Sequence, residues 1–149
     1  MPAETFQPSA SKVWISRLLI AVVILLNLQA AFQYLLNPSA YVGAFELQGM
    51  PGRTAVMGMG ILYIMWQVPY IFAAIHPVAH RFSLIEATIM QAIGLIGETW
   101  LRSQIPMENA ILRGSIQRYR VFDAGGLVLL CIALLLLSIK SRDQKKGEQ

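Results

Sequence analysis

Apolar and polar positions alternate in long blocks along this chain of 149 residues. Four blocks are almost wholly apolar and about 19 to 21 residues long, and they cover residues 18–36, 55–75, 83–101 and 121–139. A helix rises about 1.5 Å per residue, so each block is long enough to cross a hydrocarbon layer about 30 Å thick. The pattern predicts an all-α polytopic membrane protein, built as a four-transmembrane-helix bundle.

Breaks between the blocks set the expected helix boundaries within a single membrane domain that covers residues 1–149. The predicted helices are 13–37, 54–75, 82–101 and 121–140. Pro38 lacks a backbone donor and disfavours helix at Asn37, so the first helix is expected to end there. Apolar residues recur at near-helical spacing among basic ones before the fourth helix. This predicts an amphipathic segment over 106–120, which either lies on the membrane surface or extends that helix.

The composition agrees with a membrane location. Hydrophobic residues make up 56% of the chain and charged residues only 13%, whereas soluble domains are about a quarter charged. The net charge of +4 comes from basic residues at the ends of the predicted spans, where phosphate headgroups lie. The predicted partner is therefore the lipid bilayer and not a nucleic acid. Cys131 is the single cysteine, which excludes an intramolecular disulfide and a Cys-x-x-Cys motif.

Basic residues beside the spans indicate the orientation, because they are retained on the cytoplasmic face during insertion. With four spans, both termini lie on one side. That side carries seven basic residues, namely Lys12, Arg17, Arg81, Lys140, Arg142, Lys145 and Lys146. The other side carries five, namely Arg53, Arg102, Arg113, Arg118 and Arg120. This difference favours cytoplasmic termini in a bacterial inner membrane.

Two predicted helices carry polar side chains inside their apolar blocks. In the first helix, Gln29 and Gln33 are four residues apart and share a face, which we expect to point into the bundle because amides facing lipid are costly. In the third helix, Glu86, Gln91 and Glu98 are assigned to one inward side. We expect Gln91 to hydrogen-bond with the amide face of the first helix. These five residues are the candidates for a polar pocket or for contacts between helices.

The two carboxylates of the third helix are twelve residues apart, or about 18 Å along the axis, so they cannot act together on one substrate atom. Glu98 precedes Arg102 by four residues, which predicts an ion pair on one helix face. Glu86 is either a structural partner of Arg81 or Lys140, or part of a polar pocket. Asp123 is interpreted as a cap of the fourth helix or as a partner of Arg120.

The second predicted helix has no charge within its apolar block. Tyr63, Trp66 and Tyr70 follow one another at helical spacing and form an aromatic stripe. The stripe serves either for packing and anchoring at the membrane interface or as the wall of a pocket for a flat apolar ligand. Gly58 and Gly60 in the same helix predict the close approach of a neighbouring helix.

A metal site is not predicted. His76 and His80 are four residues apart with Glu86 nearby, but Pro77 interrupts the interval and the chain has no third histidine. A zinc site needs at least one more nitrogen or sulfur ligand. Both histidines are therefore predicted to belong to an interfacial turn between the second and third helices.

Several of these features together resemble a known family. Arg17 at the entry of the first helix, the Asn37-Pro38 exit and the Gly49-x-Pro51-Gly52 turn before the second helix are similar to the DoxX-like group of small bacterial membrane proteins. The resemblance covers roughly residues 14–138. It implies a four-helix membrane fold, and some members of the group are linked to quinone-coupled sulfur oxidation.

No motif names a reaction, and no catalytic residue is predicted. The small number of reactive groups favours a non-catalytic subunit or accessory protein of a larger membrane complex, whose partners are other membrane subunits or further copies of this chain. The alternative is an enzyme or binding protein that holds an amphiphile, such as a quinone, sterol or pigment, inside the bundle. Transport of a proton or small solute is a third hypothesis. The cofactor is unknown, because the sequence requires none and is compatible with a quinone.

Overall fold

The computed structural model describes residues 8–139, which form a bundle of four antiparallel α-helices. The helices are α1 (Ala10–Leu36), α2 (Gly49–Ile75), α3 (Arg81–Gln104) and α4 (Ala110–Ser138). Two short 3-10 turns, Pro38–Ala40 and Val42–Phe45, lie between α1 and α2. The prediction of an all-α fold is confirmed. Helices α1, α2 and α4 are each long and apolar enough to cross a membrane.

All four helices begin earlier in the chain than their apolar blocks, and the early starts of α2 and α4 change the interpretation of the segments before them. The Gly49-x-Pro51-Gly52 sequence, interpreted as a turn, is the first turn of α2, where a proline is tolerated because its missing N–H needs no partner. The segment 106–120 is not a separate surface element, because α4 runs unbroken from Ala110. Residues 110–120 of this segment therefore extend the fourth helix, and residues 106–109 belong to the connection before it. The basic residues of the C-terminal tail fall outside the described residues; they are Lys140, Arg142, Lys145 and Lys146.

The hydrophobic core is concentrated near the turn that joins α2 to α3. Ala73, Ala87 and Ala133, one from each of α2, α3 and α4, are completely buried there. Small side chains at such positions let helix backbones approach closely, which is the usual means of packing helices within a membrane. Ser16 Oγ donates a hydrogen bond to the carbonyl oxygen of Ala133 over 3.1 Å, which joins α1 to α4 at the same level.

Basic side chains stabilise the helix ends on this side of the bundle. Arg17 of α1 donates to the carbonyl oxygens of Ala74, at 3.0 Å, and Ile75, the last residues of α2. A cation at this position also compensates the negative end of the helix dipole. Lys12 donates to the carbonyl of Ile139 over 2.8 Å, and Arg81 donates to Ser138 Oγ over 2.8 Å. These three basic residues thus lie at one end of the bundle, as their distribution in the sequence predicts.

The inward face of α1 differs from the predicted one. Gln29 and Gln33 are exposed, so the prediction that their face points into the bundle is wrong. The buried residues of α1 are Ser16, Ile20, Val23, Asn27, Ala31 and Tyr34. The reason is packing, because α2 approaches α1 at Ala31, which lies on the opposite side from Gln29. Gln33 is satisfied outside the bundle, where its Oε1 accepts a 2.7 Å hydrogen bond from the Tyr41 hydroxyl.

Gly60 is a point of close approach between α1 and α2. A Cβ atom at Gly60 would lie 2.9 Å from the carbonyl oxygen of Ala31 and 3.2 Å from the Cβ of Tyr34. Gly58, about half a turn earlier in the same helix, has open space around it, and a Cβ atom there would have no neighbour within 4 Å. Only Gly60 therefore meets the expectation of a helix contact.

We expect Gly60→Ala to lower the free energy of unfolding by about 1 to 3 kcal/mol, because the added methyl group overpacks the α1–α2 contact. Gly58→Ala is the matched control and should cause no loss. Denaturant titration in detergent micelles, followed by circular dichroism, measures both variants. Equal losses in the two variants would contradict the assignment of Gly60 to the helix contact.

Candidate functional site

A cavity of about 310 Å³ lies between α2, α3 and α4. Helices α2 and α3 are in contact close to the turn that joins them, where the Tyr70 hydroxyl oxygen lies 3.1 Å from the carbonyl oxygen of Ala87. Farther from that turn the cavity separates them. Its lining consists of Phe45, Met59, Leu62, Tyr63, Trp66, Ile93, Gly94, Gly97, Glu98, Leu101, Ile116, Tyr119 and Asp123.

The 3-10 turn before α2 closes one end of this cavity. The Phe45 ring stacks on Tyr119 of α4, with ring centroids 5.9 Å apart and an angle of 12° between the planes. Glu46 follows in a left-handed backbone conformation with φ of 55°, and its carboxylate accepts hydrogen bonds from Asn109 Nδ2 and from the backbone N–H of Leu112. A carboxylate at this place stabilises the N-terminus of α4. No sequence pattern indicates this contact, because Glu46 and α4 are more than sixty residues apart.

The aromatic stripe of α2 is divided between two environments. Tyr63 and Trp66 line the cavity, with ring centroids 5.9 Å apart. Tyr70 is only 3% exposed and belongs to the hydrophobic core. Two of the three residues assigned to an apolar ligand wall therefore line this cavity, and all three line a smaller adjoining space of about 20 Å³. Their role in binding stays a prediction.

A chain of hydrogen bonds connects α2, α3 and α4 beside the cavity. The Tyr70 hydroxyl donates to Gln91 Oε1 over 2.7 Å, and Gln91 Nε2 donates to Asp123 Oδ1 over 2.9 Å. Glycines make room for it, because a Cβ atom at Gly126 would lie 2.7 Å from Gln91 Nε2 and one at Gly94 would collide with Asp123 Oδ2. Gln91 thus points inward as predicted, but its partners are Tyr70 and Asp123 rather than the amides of α1.

Glu98 lines the same cavity from α3. Its Oε2 atom is buried and has no hydrogen-bond partner among residues 8–139, and the same is true of Arg102 Nε. The ion pair predicted between Glu98 and Arg102 is therefore not made through these atoms. Asp123 faces the cavity from α4, so two carboxyl groups from different helices share it. The sequence pattern gave no reason to expect these two residues together.

Nearby arginines make their hydrogen bonds elsewhere. Arg113 donates to the carbonyl oxygens of Arg102 and Ile105, at the end of α3. Arg118 donates to Ser115 Oγ, and Arg120 donates to Thr99 Oγ1 over 3.1 Å and to Gln117 Oε1 over 2.7 Å. The carboxyl groups of the cavity accept none of these hydrogen bonds.

Glu86 does not belong to this site. It is exposed on the outer face of α3, in a groove with Val68, Pro69 and Phe72 of α2, so the prediction that it faces inward is wrong. Successive helical residues are about 100° apart, and the twelve-residue interval therefore rotates Glu86 by about 120° from Glu98. The inward face of α3 cannot include both. Its buried residues are Leu84, Ala87 and Gln91.

The two histidines belong to the turn between α2 and α3. His76 Nδ1 accepts a hydrogen bond from the backbone N–H of Ala79 over 3.1 Å, which is an interaction within that turn. Across residues 8–139, no three His, Cys, Asp or Glu side chains come close enough to hold a metal ion.

Comparison with known proteins identifies no relative of this chain. No family model matches the chain, and no curated protein or solved structure matches it. The resemblance to the DoxX-like group therefore stays a prediction, and the site must be interpreted from its own geometry.

We expect Gln91→Ala to lower the free energy of unfolding by about 1 to 3 kcal/mol, because it removes a partner from both Tyr70 and Asp123 inside the bundle. Gln29→Ala removes an exposed amide and should change stability by less than about 0.5 kcal/mol. Denaturant titration in detergent gives both values. Similar losses for the two variants would show that the buried hydrogen-bond chain does not stabilise the fold.

Proposed function

We propose that this protein is a four-span membrane protein that binds an amphiphile in the cavity between α2, α3 and α4. The observation that supports this function best is the cavity itself, which has a mainly apolar lining and a polar side. Aromatic and aliphatic side chains form most of the lining, and two carboxyl groups, Glu98 and Asp123, stand on the inner side. A volume of about 310 Å³ lies at the lower end of the usual range for ligand pockets, about 300 to 1,000 Å³.

The passage of α3 through the membrane is part of this proposal. Helix α3 has 24 residues, or about 36 Å of length, and it is joined to α2 and α4 by connections of five residues each. Arg81, at its start, bonds to Ser138 at the end of α4, while Gln91, near its middle, bonds to Asp123. Because these contacts keep α3 beside α4 along its length, they support the proposal that α3 crosses the membrane together with α4.

The polar side of the cavity suits a head group that donates hydrogen bonds. Glu98 Oε2 is buried without a partner in residues 8–139, and a carboxylate oxygen can only accept a hydrogen bond unless it is protonated. An unpartnered buried acceptor is costly, so a ligand donor gains free energy when the Glu98 side chain turns this oxygen toward the cavity. A hydroxyl group, as in a sterol or a quinol, has this property. The apolar part of such a ligand would pack on Trp66 and Ile93.

Trp66 provides a direct assay, since it lines the cavity. In a variant in which Trp14 and Trp100 are replaced by phenylalanine, Trp66 is the single tryptophan. We expect a dibrominated octadecanol to quench Trp66 saturably in vesicles. The methyl ether of that alcohol cannot donate a hydrogen bond and should show only the linear quenching expected of any brominated lipid.

Glu98→Leu should weaken this saturable binding about tenfold, the equivalent of one hydrogen bond of about 1.4 kcal/mol. Glu86→Leu is the matched control, because it makes the same change in the same helix outside the cavity, and it should have no effect. Absence of saturable quenching in the parent protein would overturn the proposed function.

A second proposal, membership of a larger membrane complex, is favoured by the position of Glu86. This carboxylate is exposed on an apolar groove between α2 and α3, beside Val68, Pro69 and Phe72. A carboxyl side chain that faces hydrocarbon is costly, so a partner helix with a hydrogen-bond donor would lower that cost. A bacterial inner membrane with cytoplasmic termini, and membership of the DoxX-like group, are parts of this second proposal.

Mass measurement of the protein, extracted from its own membrane in mild detergent, tests this second proposal. We expect a stoichiometric assembly, and we expect Glu86→Leu to release the chain from it because the polar contact is lost. Glu108→Leu, a substitution at another exposed carboxylate, is the control and should leave the assembly intact. A monomer in the unaltered protein would contradict the proposal.

A further inference from the structure

The rim of the cavity is built from side chains that also form part of the outer surface. Leu62 and Trp66 of α2 are 45% and 46% exposed, and Ile93 and Leu101 of α3 are 63% and 45% exposed. All four also line the cavity. The cavity therefore reaches the outer surface along the seam between α2 and α3, and its margin there is wholly apolar.

Other directions out of the cavity are obstructed. Toward the turn between α2 and α3, Tyr70 of α2 contacts Ala87 and Gln91 of α3 and closes the gap between the helices. At the opposite end, Phe45 is stacked on Tyr119. On the inner side, α4 supplies the wall, and its Asp123 is bonded to Gln91.

We propose that the cavity is loaded sideways from the hydrocarbon of the bilayer, through the opening between α2 and α3. The occupant is a membrane-dissolved long-chain alcohol or a compound of the same class. Its hydroxyl group lies on Glu98, and its apolar chain stays in the opening between Trp66 and Ile93. This inference rests on the proposed amphiphile binding and adds the route of entry and the orientation of the ligand.

The apolar margin of the opening explains why a ligand enters from lipid rather than from water. A hydrocarbon chain that moves from lipid into the opening exchanges one apolar environment for another, so no dehydration barrier is met. A route past Phe45 would have to break its stacking on Tyr119 and displace the contacts of Glu46 with α4. The structure thus provides one open apolar route among the described residues.

Chemical labelling of the margin after folding tests the route. The background is the protein with Trp66 as its single tryptophan and with Cys131→Ala, since Cys131 is exposed and would react. Ile93→Cys places a thiol on the margin. Ile96→Cys is the matched control, because Ile96 is 68% exposed on the same helix but does not line the cavity. Each variant is measured with dibrominated octadecanol before and after reaction with a bulky, non-fluorescent maleimide.

Labelling at Ile93→Cys should reduce the rate or affinity of saturable quenching at least tenfold, while labelling at Ile96→Cys should leave both unchanged. Unchanged quenching in both labelled variants, with normal saturation, would overturn the lateral route and leave the proposed function intact. Absence of saturation in both unlabelled variants would instead overturn the binding function and this inference with it. Comparing each variant with itself before labelling removes any effect of the substitution on folding.

Discussion

The hydrogen bonds of Gln91 fix the relative positions of three helices, and the shape of the cavity depends on them. Gln91 lies on α3 and is bonded to Tyr70 of α2 and to Asp123 of α4. Tyr70 and Gln91 are buried and have no water to pair with, so these hydrogen bonds hold their helices in one rotation and one register. Beyond this point, α2 and α3 have no comparable polar contact among the described residues, and the cavity separates them. The same interaction therefore holds α2 and α3 together on one side of the cavity, and the cavity opens between these two helices on the other side of it.

Helix length could be predicted from the sequence, but helix rotation could not. Each apolar block became part of a helix because its length and composition are properties of the segment alone. The inward face depends on what the neighbouring helix offers. In α1, Asn27 is buried and Gln29 is exposed, although both carry an amide. The difference arises because Gly60 of α2 lets α1 approach at Ala31, and no pattern within α1 contains that information.

The sequence would have predicted Asp123 as a candidate site residue if the start of α4 had been placed earlier in the chain. Placing the helix start near residue 121 makes Asp123 a cap. A start at Ala110 places it more than three turns inside the helix, just under one turn before Gly126. Asp123 would then be an intramembrane carboxyl group, which is by default a functional candidate. The contact between Glu46 and α4 could not have been found in this way, since it depends on the path of the 3-10 turns.

Selectivity in such a cavity must come from the polar head group rather than from the apolar chain. Under the proposed lateral entry, lipid chains surround the opening between α2 and α3, and a lipid chain in the opening has nearly the same environment as one outside it. Exchange of a lipid chain for a ligand chain therefore gains little free energy. A hydrogen bond inside a membrane protein is worth about 0.6 to 2 kcal/mol, which corresponds to about three- to thirtyfold discrimination. Among the residues that line the cavity, Glu98 carries the buried acceptor without a partner in residues 8–139, so under the proposed function it is the residue that separates a ligand from the bulk lipid.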